Sequence, residues 1–202
     1  MNHLRKFIMI LPVLVAMLIS IGNAFQENCD DSFVRNASLG NNHKIMEMLN
    51  GRANVNSRNY KGQTALIEAA FNGQRATLEL LINNGADLNQ RGNKARTALM
   101  WAASAGRLEV VKSLLAHGVD VKARDRNNQN ALMFASETGK IALVNILLKA
   151  GADTTVKDNN CATPYTIATE RGFNKIADAI LSYSHTSKSD QDPDDMRIGL
   201  SM

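Results

Sequence analysis

Residues 97–118, TALMWAASAGRLEVVKSLLAHG, form the stretch that decides the fold, because the same pattern recurs along the chain in steps of 33 residues. Three positions of the stretch show the recurrence most clearly. Thr97 aligns with Thr64, Asn130 and Thr163; Gly106 aligns with Gly40, Gly73, Gly139 and Gly172; and Gly118 aligns with Gly85 and Gly151. A constant period of this length indicates a repeat architecture in which every unit has the same local structure.

One unit of the pattern predicts two short helices joined by a turn. Leu99, Ala102 and Ala103 fall at helical spacing, and the small alanine side chains allow a second helix to approach closely. A second apolar stripe follows Gly106 and ends at Gly118, which accepts the positive φ that side chains resist. Two short helices cannot bury both of their faces alone, so neighbouring units must stack.

The repeated unit resembles the ankyrin repeat, a 33-residue unit of a β-turn and two helices with the signature T-P-L-H-x-A. Residues 163–168, TPYTIA, carry the Thr-Pro pair, and residues 84–89, NGADLN, match the closing G-A-D-x-N of the family. The resemblance implies an all-α solenoid of about five helix-turn-helix repeats with β-turn or hairpin connections. The implied repeats lie near residues 30–56, 57–89, 90–122, 123–155 and 156–181.

The units depart from the family signature at two neighbouring positions. The His of the signature is absent, and its position holds Ile67, Met100, Met133 and Thr166. Side-chain packing must therefore replace the hydrogen bonds that this His makes in the family. The next position holds a large apolar residue in three repeats: Trp101, Phe134 and Ile167. The resemblance implies that these side chains contact the adjoining repeat, and contact with a ligand is the alternative.

Two glycines of the third unit differ in how strictly the pattern requires them. Gly106 recurs in all five units between the two helices. Gly92 instead aligns with three residues that have side chains, namely Asn59, Asp125 and Asp158. We therefore expect a valine at Gly106 to damage the fold more than a valine at Gly92.

Residues 1–24 have the features of a cleaved signal peptide. Arg5 and Lys6 precede an apolar run over residues 7–21, and residues 22–24, GNA, form a small-x-small cleavage site. The run is shorter than the roughly 18 residues of a spanning helix, and a retained anchor is the alternative. We expect an exported chain that begins at Phe25, is located in the periplasm if the source is bacterial or alternatively is secreted, and has no membrane contact after cleavage.

Charge and composition give little support for nucleic-acid binding and predict a tail without stable structure. Loss of Arg5 and Lys6 with the signal peptide lowers the formal net charge from +4 to +2, so nonspecific binding of nucleic acid is not expected. Residues 182–202 are rich in Ser, Asp, Lys and Gln. This composition predicts a disordered tail after a repeat domain of residues 25–181.

Two cysteines remain in the exported chain, where disulfides are permitted. Cys29 lies in the first repeat and Cys161 in the fifth, and a stacked array keeps these repeats too far apart for an internal bridge. Cys161 stands where another unit has the turn glycine Gly62. It is either a turn substitution or a thiol available to a second chain; the chain is otherwise expected to be a monomer.

The sequence contains no arrangement of residues that supports catalysis. No nucleophile lies near a base, and no CxxC, HExxH or glycine-rich phosphate loop occurs, so no catalytic, cofactor-binding or metal-binding residue is predicted. His117 precedes the helix-ending Gly118, where an imidazolium interacts well with the carbonyl end of the helix. These observations favour a protein that is not an enzyme.

The resemblance implies that the chain binds a protein partner through the concave face and the turn tips of the solenoid. Four cations 33 residues apart should stack into a row, called the ladder here: Arg58, Arg91, Arg124 and Lys157. The ladder either attracts an acidic partner or forms a solvated edge. Phe71 favours binding, because a lone aromatic on a polar strip is a typical interface anchor. The full predicted partner-binding set is Arg58, Lys61, Phe71, Asn72, Arg91, Lys94, Arg96, Ser104, Arg124, Arg126, Glu137 and Lys157.

Two other functions would use the same surface. A secreted effector that binds a host protein is one alternative, and a binding inhibitor or immunity-type protein of one enzyme is another. A repeat fold transfers a mode of action, which is binding, and does not by itself select a target.

Overall fold

The computed structural model describes residues 29–189, and within that range the chain is a stack of paired helices. The first helix described, α1, covers residues 29–39, and a short 3-10 turn lies at Asn93–Ala95. The other helices are α2 (Asn42–Asn50), α3 (Ala65–Asn72), α4 (Arg75–Asn83), α5 (Ala98–Ser104), α6 (Leu108–Ala116), α7 (Ala131–Ser136), α8 (Ile141–Lys149), α9 (Pro164–Glu170) and α10 (Asn174–Ser189). The predicted signal peptide, residues 1–24, lies outside the described residues.

The helices form two layers. The first helices of successive repeats, α3, α5, α7 and α9, pack against one another in order, and the second helices, α2, α4, α6, α8 and α10, form the other layer. A hydrophobic core extends through the stack from Phe33 in α1 to Ile180 in α10. This arrangement confirms the predicted all-α solenoid of stacked helix-turn-helix units.

Each first helix begins at a capping residue, which explains why Thr97 and its equivalents are polar. The side chains of Thr64, Thr97, Asn130 and Thr163 each accept a hydrogen bond from the backbone N–H three residues later, at 3.3, 3.4, 3.0 and 3.1 Å. Each cap satisfies one of the unpaired N–H groups at a helix N-terminus. Pro164 takes the first helical position of α9, where its missing N–H leaves no bond unmade.

Packing replaces the hydrogen bonds of the absent signature His, as the sequence predicts. Ile67, Met100 and Met133 are at most 1% exposed. The fourth residue at this position, Thr166, is polar, and its Oγ1 accepts the N–H of Thr163 at 2.8 Å to complete a capping box. The position therefore serves the core in three repeats and the helix start in the last one.

Three of the turns between repeats are held by a capping side chain at their first position. The Oδ1 of Asn59 accepts the N–H groups of Lys61 and Gln63, at 3.0 and 2.9 Å. Asp125 and Asp158 make the same two bonds in their own turns. A side chain that bonds the backbone two and four residues later fixes the turn without help from other repeats.

The turn of the third repeat lacks such a cap, because Gly92 holds the first position. The Oε1 of Gln63, from the preceding repeat, accepts the N–H of Asn93 at 3.3 Å. Lys94 and Ala95 adopt positive φ angles of 56° and 58°, which are uncommon for residues with side chains. This turn therefore depends on its neighbour for support.

Cys161 occupies a left-handed turn position that suits glycine. Its φ is 63°, close to the 73° of Gly62 at the equivalent position. The structure thus confirms that Cys161 is a substitution for a turn glycine. Cys29 and Cys161 are both free and exposed, so the thiol of Cys161 is also accessible from solvent.

We expect Cys161→Gly to raise the free energy of unfolding by about 0.5–1 kcal/mol, since glycine removes the left-handed strain but loses more entropy on folding. Urea unfolding of both chains under reducing conditions measures the difference. Ala162→Gly is the matched control, because Ala162 is adjacent but does not have a positive φ and should be destabilised by the change. If the Cys161→Gly chain is less stable than its parent, the left-handed conformation of Cys161 does not destabilise the fold.

The last helix is longer than the apolar stripe predicts. The sequence places its end at Leu181, whereas α10 continues to Ser189. Tyr183 is partly buried against the core, which gives the added turns a packing partner. The folded array therefore extends past the predicted boundary at residue 181, and residues 190–202 of the predicted tail lie outside the described residues.

Candidate protein-binding surface

The ladder residues lie in a row, but the arginine side chains are tied to the neighbouring repeat. Nη1 of Arg58 donates to the backbone oxygen of Arg91 at 2.6 Å and to that of Gly62 at 3.0 Å. Nη1 of Arg91 repeats this pattern, donating to the backbone oxygen of Arg124 at 2.6 Å and to that of Ala95 at 3.3 Å. Each of these two guanidinium groups therefore joins one repeat to the next.

The far end of the ladder is tied by different groups. Arg124 faces Asp153 at 3.3 Å, and Nδ2 of Asn128 donates to the backbone oxygen of Lys157 at 2.6 Å. Only the side chain of Lys157 has no such commitment among the described residues. Arg58 and Arg91 therefore join neighbouring repeats, and Arg124 pairs with a carboxylate of its own repeat; the predicted attraction of an acidic partner to the ladder stays a prediction.

We expect Arg91→Ala to lower the free energy of unfolding by about 1 kcal/mol, because a charge-assisted bond to a carbonyl is lost at an exposed site. A loss of this size lowers the Tm by about 2–4 °C in a chain of this length. Arg91→Lys retains the charge without the planar fork and should recover only part of the loss. Lys157→Ala is the control and should leave the Tm unchanged; equal losses at both positions would contradict a structural role for the ladder.

A second set of cations lies further out on the turn tips, and we call it the tip row: Lys61, Lys94 and Arg126. All three are exposed. Among residues 29–189, no hydrogen bond or ion pair reaches their head groups, and the ammonium of Lys61 lies 5.3 Å from the ring centroid of Tyr60. The tip row, together with Lys157, therefore holds the cations of the predicted set that remain available to a partner.

Arg96, another member of the predicted set, is part of the core of the turn. Its Nε lies 3.0 Å from Oδ2 of Asp125, with 15% of the Arg96 side chain and 0% of the Asp125 side chain exposed. The guanidinium carbon lies 4.3 Å from the ring centroid of Phe134 and 5.2 Å from that of Trp101. A cation enclosed by a carboxylate and two rings is not available for a partner, so this assignment is corrected.

Phe71 is an exposed aromatic residue of the face formed by the first helices, which we call the first-helix face. It is 41% exposed and meets Trp101 edge to face, with centroids 5.4 Å apart and an interplanar angle of 84°. Trp101 is partly buried, while Phe134 and Ile167 at the equivalent positions are buried, which agrees with the predicted contact between repeats. Phe71 is thus held in place by a ring beneath it, as an anchor requires.

The polar residues predicted around Phe71 make local bonds on the same face. Nδ2 of Asn72 donates to the backbone oxygen of Glu68 at 2.9 Å, and Oγ of Ser104 donates to that of Trp101 at 3.0 Å. Glu137 lies 3.9 Å from Arg171. Asn72 is exposed and the other two are partly exposed, so all three border the first-helix face without forming a reactive group.

A groove that the sequence did not reveal opens at the first repeats, between α1, the first turn tip and α3. Its volume is about 500 Å³ and its lining includes Arg35, Ser38, Tyr60, Lys61 and Glu68. Tyr60 is 80% exposed, more than the other large apolar or aromatic side chains that are exposed. Its place at a turn tip was the signal available in the sequence.

Two carboxylates at the surface of the stack, Asp153 and Glu109, have pKa values below the usual range. Burial opposes ionisation of Asp153 most strongly, but hydrogen bonds from Thr155 and the charges of Arg124 and Lys122 together hold its pKa below the usual value. The stabilisation from this carboxylate is present at neutral pH and is lost as the pH falls through the folded pKa. The pKa of Glu109 is lowered by its hydrogen bond from Lys112.

His117 lies at the end of α6, as the sequence predicts. Its Nδ1 is 2.9 Å from the backbone oxygen of Ser113, and its Nε2 is 3.5 Å from Oε2 of Glu79 in the neighbouring second helix. Ser113 also donates to Glu79, at 2.6 Å, so the serine hydroxyl is occupied by a carboxylate and not oriented by a base. This cluster joins two repeats.

Neither a metal site nor a membrane span occurs within residues 29–189. No group of three or more His, Cys, Asp or Glu side chains in that range could hold an ion. None of the helices there has both the length and the hydropathy needed to cross a bilayer.

Comparison with known proteins identifies the repeat. A family model described as ankyrin repeats (3 copies) matches residues 13–92, 33–125, 89–158 and 109–194, so the overlapping matches cover most of the chain. No curated protein gives a significant match. Stacked helix pairs, capped turns and the 33-residue period agree with the family match, and the chain belongs to the ankyrin repeat family.

Proposed function

We propose that this chain is a non-enzymatic binding module of the bacterial periplasm, which engages a protein partner through the first-helix face and the turn tips. Ankyrin repeats are protein–protein interaction modules and are generally not enzymes. Export from the cytoplasm is supported by the charged start, apolar run and small-x-small site of residues 1–24. Expression of the full chain with a C-terminal tag, followed by cell fractionation and N-terminal sequencing, tests this location: the processed chain should begin at Phe25 in the periplasmic fraction.

The observation that carries the binding proposal is the exposure of Phe71 on top of Trp101. Exposed aromatic side chains are typical binding hot spots, and the edge-to-face contact with the partly buried Trp101 limits the freedom of Phe71 before binding. Glu68, Asn72 and Ser104 around it supply polar groups for the rim of an interface.

Affinity capture with residues 25–202, followed by kinetics with the purified partner, tests the binding proposal. Phe71→Ala should raise the dissociation rate about 30-fold, the equivalent of a hot-spot loss of about 2 kcal/mol. Ile141→Ala on the second-helix layer is the control, because Ile141 is exposed to a similar extent but lies on the opposite layer. A partner whose dissociation is unchanged by Phe71→Ala binds elsewhere and would contradict this assignment.

A further inference from the structure

The tip row differs from the three arginines of the ladder in having unpaired charges, and this difference points to a ligand. Arg58 and Arg91 are bonded to backbone oxygens of the next repeat. Lys61, Lys94 and Arg126 are exposed and have no anionic partner within the described residues. Three unpaired cations on consecutive tips favour an anionic ligand that runs along the tips.

The spacing of the tips can be estimated from the backbone. The N–H of Arg126 donates to the oxygen of Lys94 at 3.0 Å, and the N–H of Asn159 donates to the oxygen of Asn127 at 3.1 Å, so the turns of the third, fourth and fifth repeats pair as neighbouring strands do. A two-stranded turn is about 10 Å wide, since paired strands lie about 4.8 Å apart. Packed helices have axes about 8–10 Å apart, which gives the same repeat distance.

A polyproline II segment matches this spacing. It rises about 3.1 Å per residue with three residues per turn, so every third side chain faces the same way about 9 Å apart. A β-strand does not match, because side chains three residues apart point to opposite faces. The backbone of a polyproline II segment has no internal hydrogen bonds, and the tips offer amide side chains at Asn93, Asn127 and Asn160 that can bond to it.

The residues of the fourth tip limit the number of acidic residues that the row of tips can pair with. It has Asn159 and Asn160 where the other tips have a cation. We propose that the turn tips bind an extended, polyproline II segment of a partner protein in which three acidic residues recur at every third position. This inference rests on the proposed function and specifies the chemistry of the partner.

Synthetic peptides test the inference. The probe is a fluorescent seven-residue peptide with Glu at positions 1, 4 and 7 and Pro and Ser between them, and its isomer has the three Glu residues adjacent. Fluorescence anisotropy with residues 25–202 at low salt should give about tenfold tighter binding of the spaced peptide. The triple variant Lys61→Ser, Lys94→Ser and Arg126→Ser should lose this preference, with an unchanged Tm to show that it folds.

A charge-matched variant separates the tip row from general attraction. Lys112→Ser, Lys149→Ser and Lys175→Ser remove three cations from the second helices and should leave the preference intact. Equal binding of the two peptides overturns the inference, and so does an equal loss in both triple variants. Tighter binding of an oligonucleotide or an anionic vesicle than of the spaced peptide, abolished by the tip-row variant, also overturns it, because the cations would then serve phosphates.

The inference and the proposed function fail separately. If the chain captures a protein through Phe71 but does not distinguish the two peptides, the inference is wrong and the proposed function stands. If the chain prefers the spaced peptide through the tip row, but binding of its captured partner is unchanged by Phe71→Ala, the inference stands and the role of Phe71 in the proposed function is wrong.

Discussion

An Asp125→Ala chain is expected to lose about 3 kcal/mol of its free energy of unfolding, because removal of one partner leaves a buried charge uncompensated. The Asp125 side chain is fully buried and lies 3.0 Å from Nε of Arg96. It also accepts the N–H groups of Asn127 and Gln129, at 2.8 and 2.9 Å. Without it, Arg96 remains between two rings with no anion, and the turn of the fourth repeat loses its cap.

Thermal and urea unfolding measure this loss, which should lower the Tm by about 6–12 °C at about 2–4 °C per kcal/mol. Asp158→Ala is the matched control. Asp158 makes the same two backbone bonds, at 2.9 Å each, and accepts from the amide of Gln129 at 3.4 Å, but no arginine among residues 29–189 pairs with it. We expect it to lose about 1 kcal/mol, the value of ordinary hydrogen bonds. Equal losses in the two variants would show that the ion pair adds nothing to the cap.

The fold follows from the sequence because its determinants are local and repeat. The 33-residue period places every capping residue, such as Thr97, before an apolar stripe of helical spacing. Stacking is then required, since each unit exposes apolar surface on two sides. The length of α10 was underestimated because the residues after Leu181 are mostly polar and the contribution of Tyr183 depends on a contact with the core.

The binding surface was predicted less well, because spacing fixes where a side chain begins and not what it contacts. The same offset that aligns Arg58 with Arg91 also brings the guanidinium of Arg58 within 2.6 Å of the next backbone oxygen. Arg96 looked exposed in a turn, but its anion, Asp125, lies in the following repeat. Contacts between repeats involve residues about 30 apart, and the sequence pattern does not encode their geometry.

The comparison of Gly106 with Gly92 shows the same limit of alignment. The other repeats have residues with side chains at the position of Gly92, and this pattern predicted that Gly92 tolerates a side chain. A Cβ there would overlap Oε1 of Gln63 and lie 2.8 Å from Cδ1 of Ile67. Gln63 occupies this space because it replaces the missing turn cap of the third repeat. A valine at Gly92 is therefore expected to be damaging as well. Gly106 combines a φ of 66° with a Cβ position close to the end of the Lys140 side chain, so the predicted ranking of the two variants stays a prediction.

Gly139, between the paired helices of the fourth repeat, has a second role that separates it from the helix-end Gly151. Gly139 and Gly151 both have positive φ angles, of 72° and 82°. A Cβ on Gly139 would lie 2.9 Å from Cζ of Phe173 in the next repeat, whereas a Cβ on Gly151 would have no neighbour within 4 Å. Phe173 packs against the core and cannot move away freely. The first position therefore requires both the backbone freedom and the small size of glycine.

We expect Gly139→Ala to lower the free energy of unfolding by about 3 kcal/mol and Gly151→Ala by about 1–2 kcal/mol. The smaller value is the strain of a left-handed residue, and the difference is the displacement of the Phe173 ring. Urea unfolding of both variants measures it. In the Gly139→Ala background, Phe173→Leu should then be less destabilising than in the parent chain, because the smaller side chain makes room for the methyl group. Equal losses at the two glycines, or additive effects of the pair, would mean that the methyl group and the ring do not compete for space.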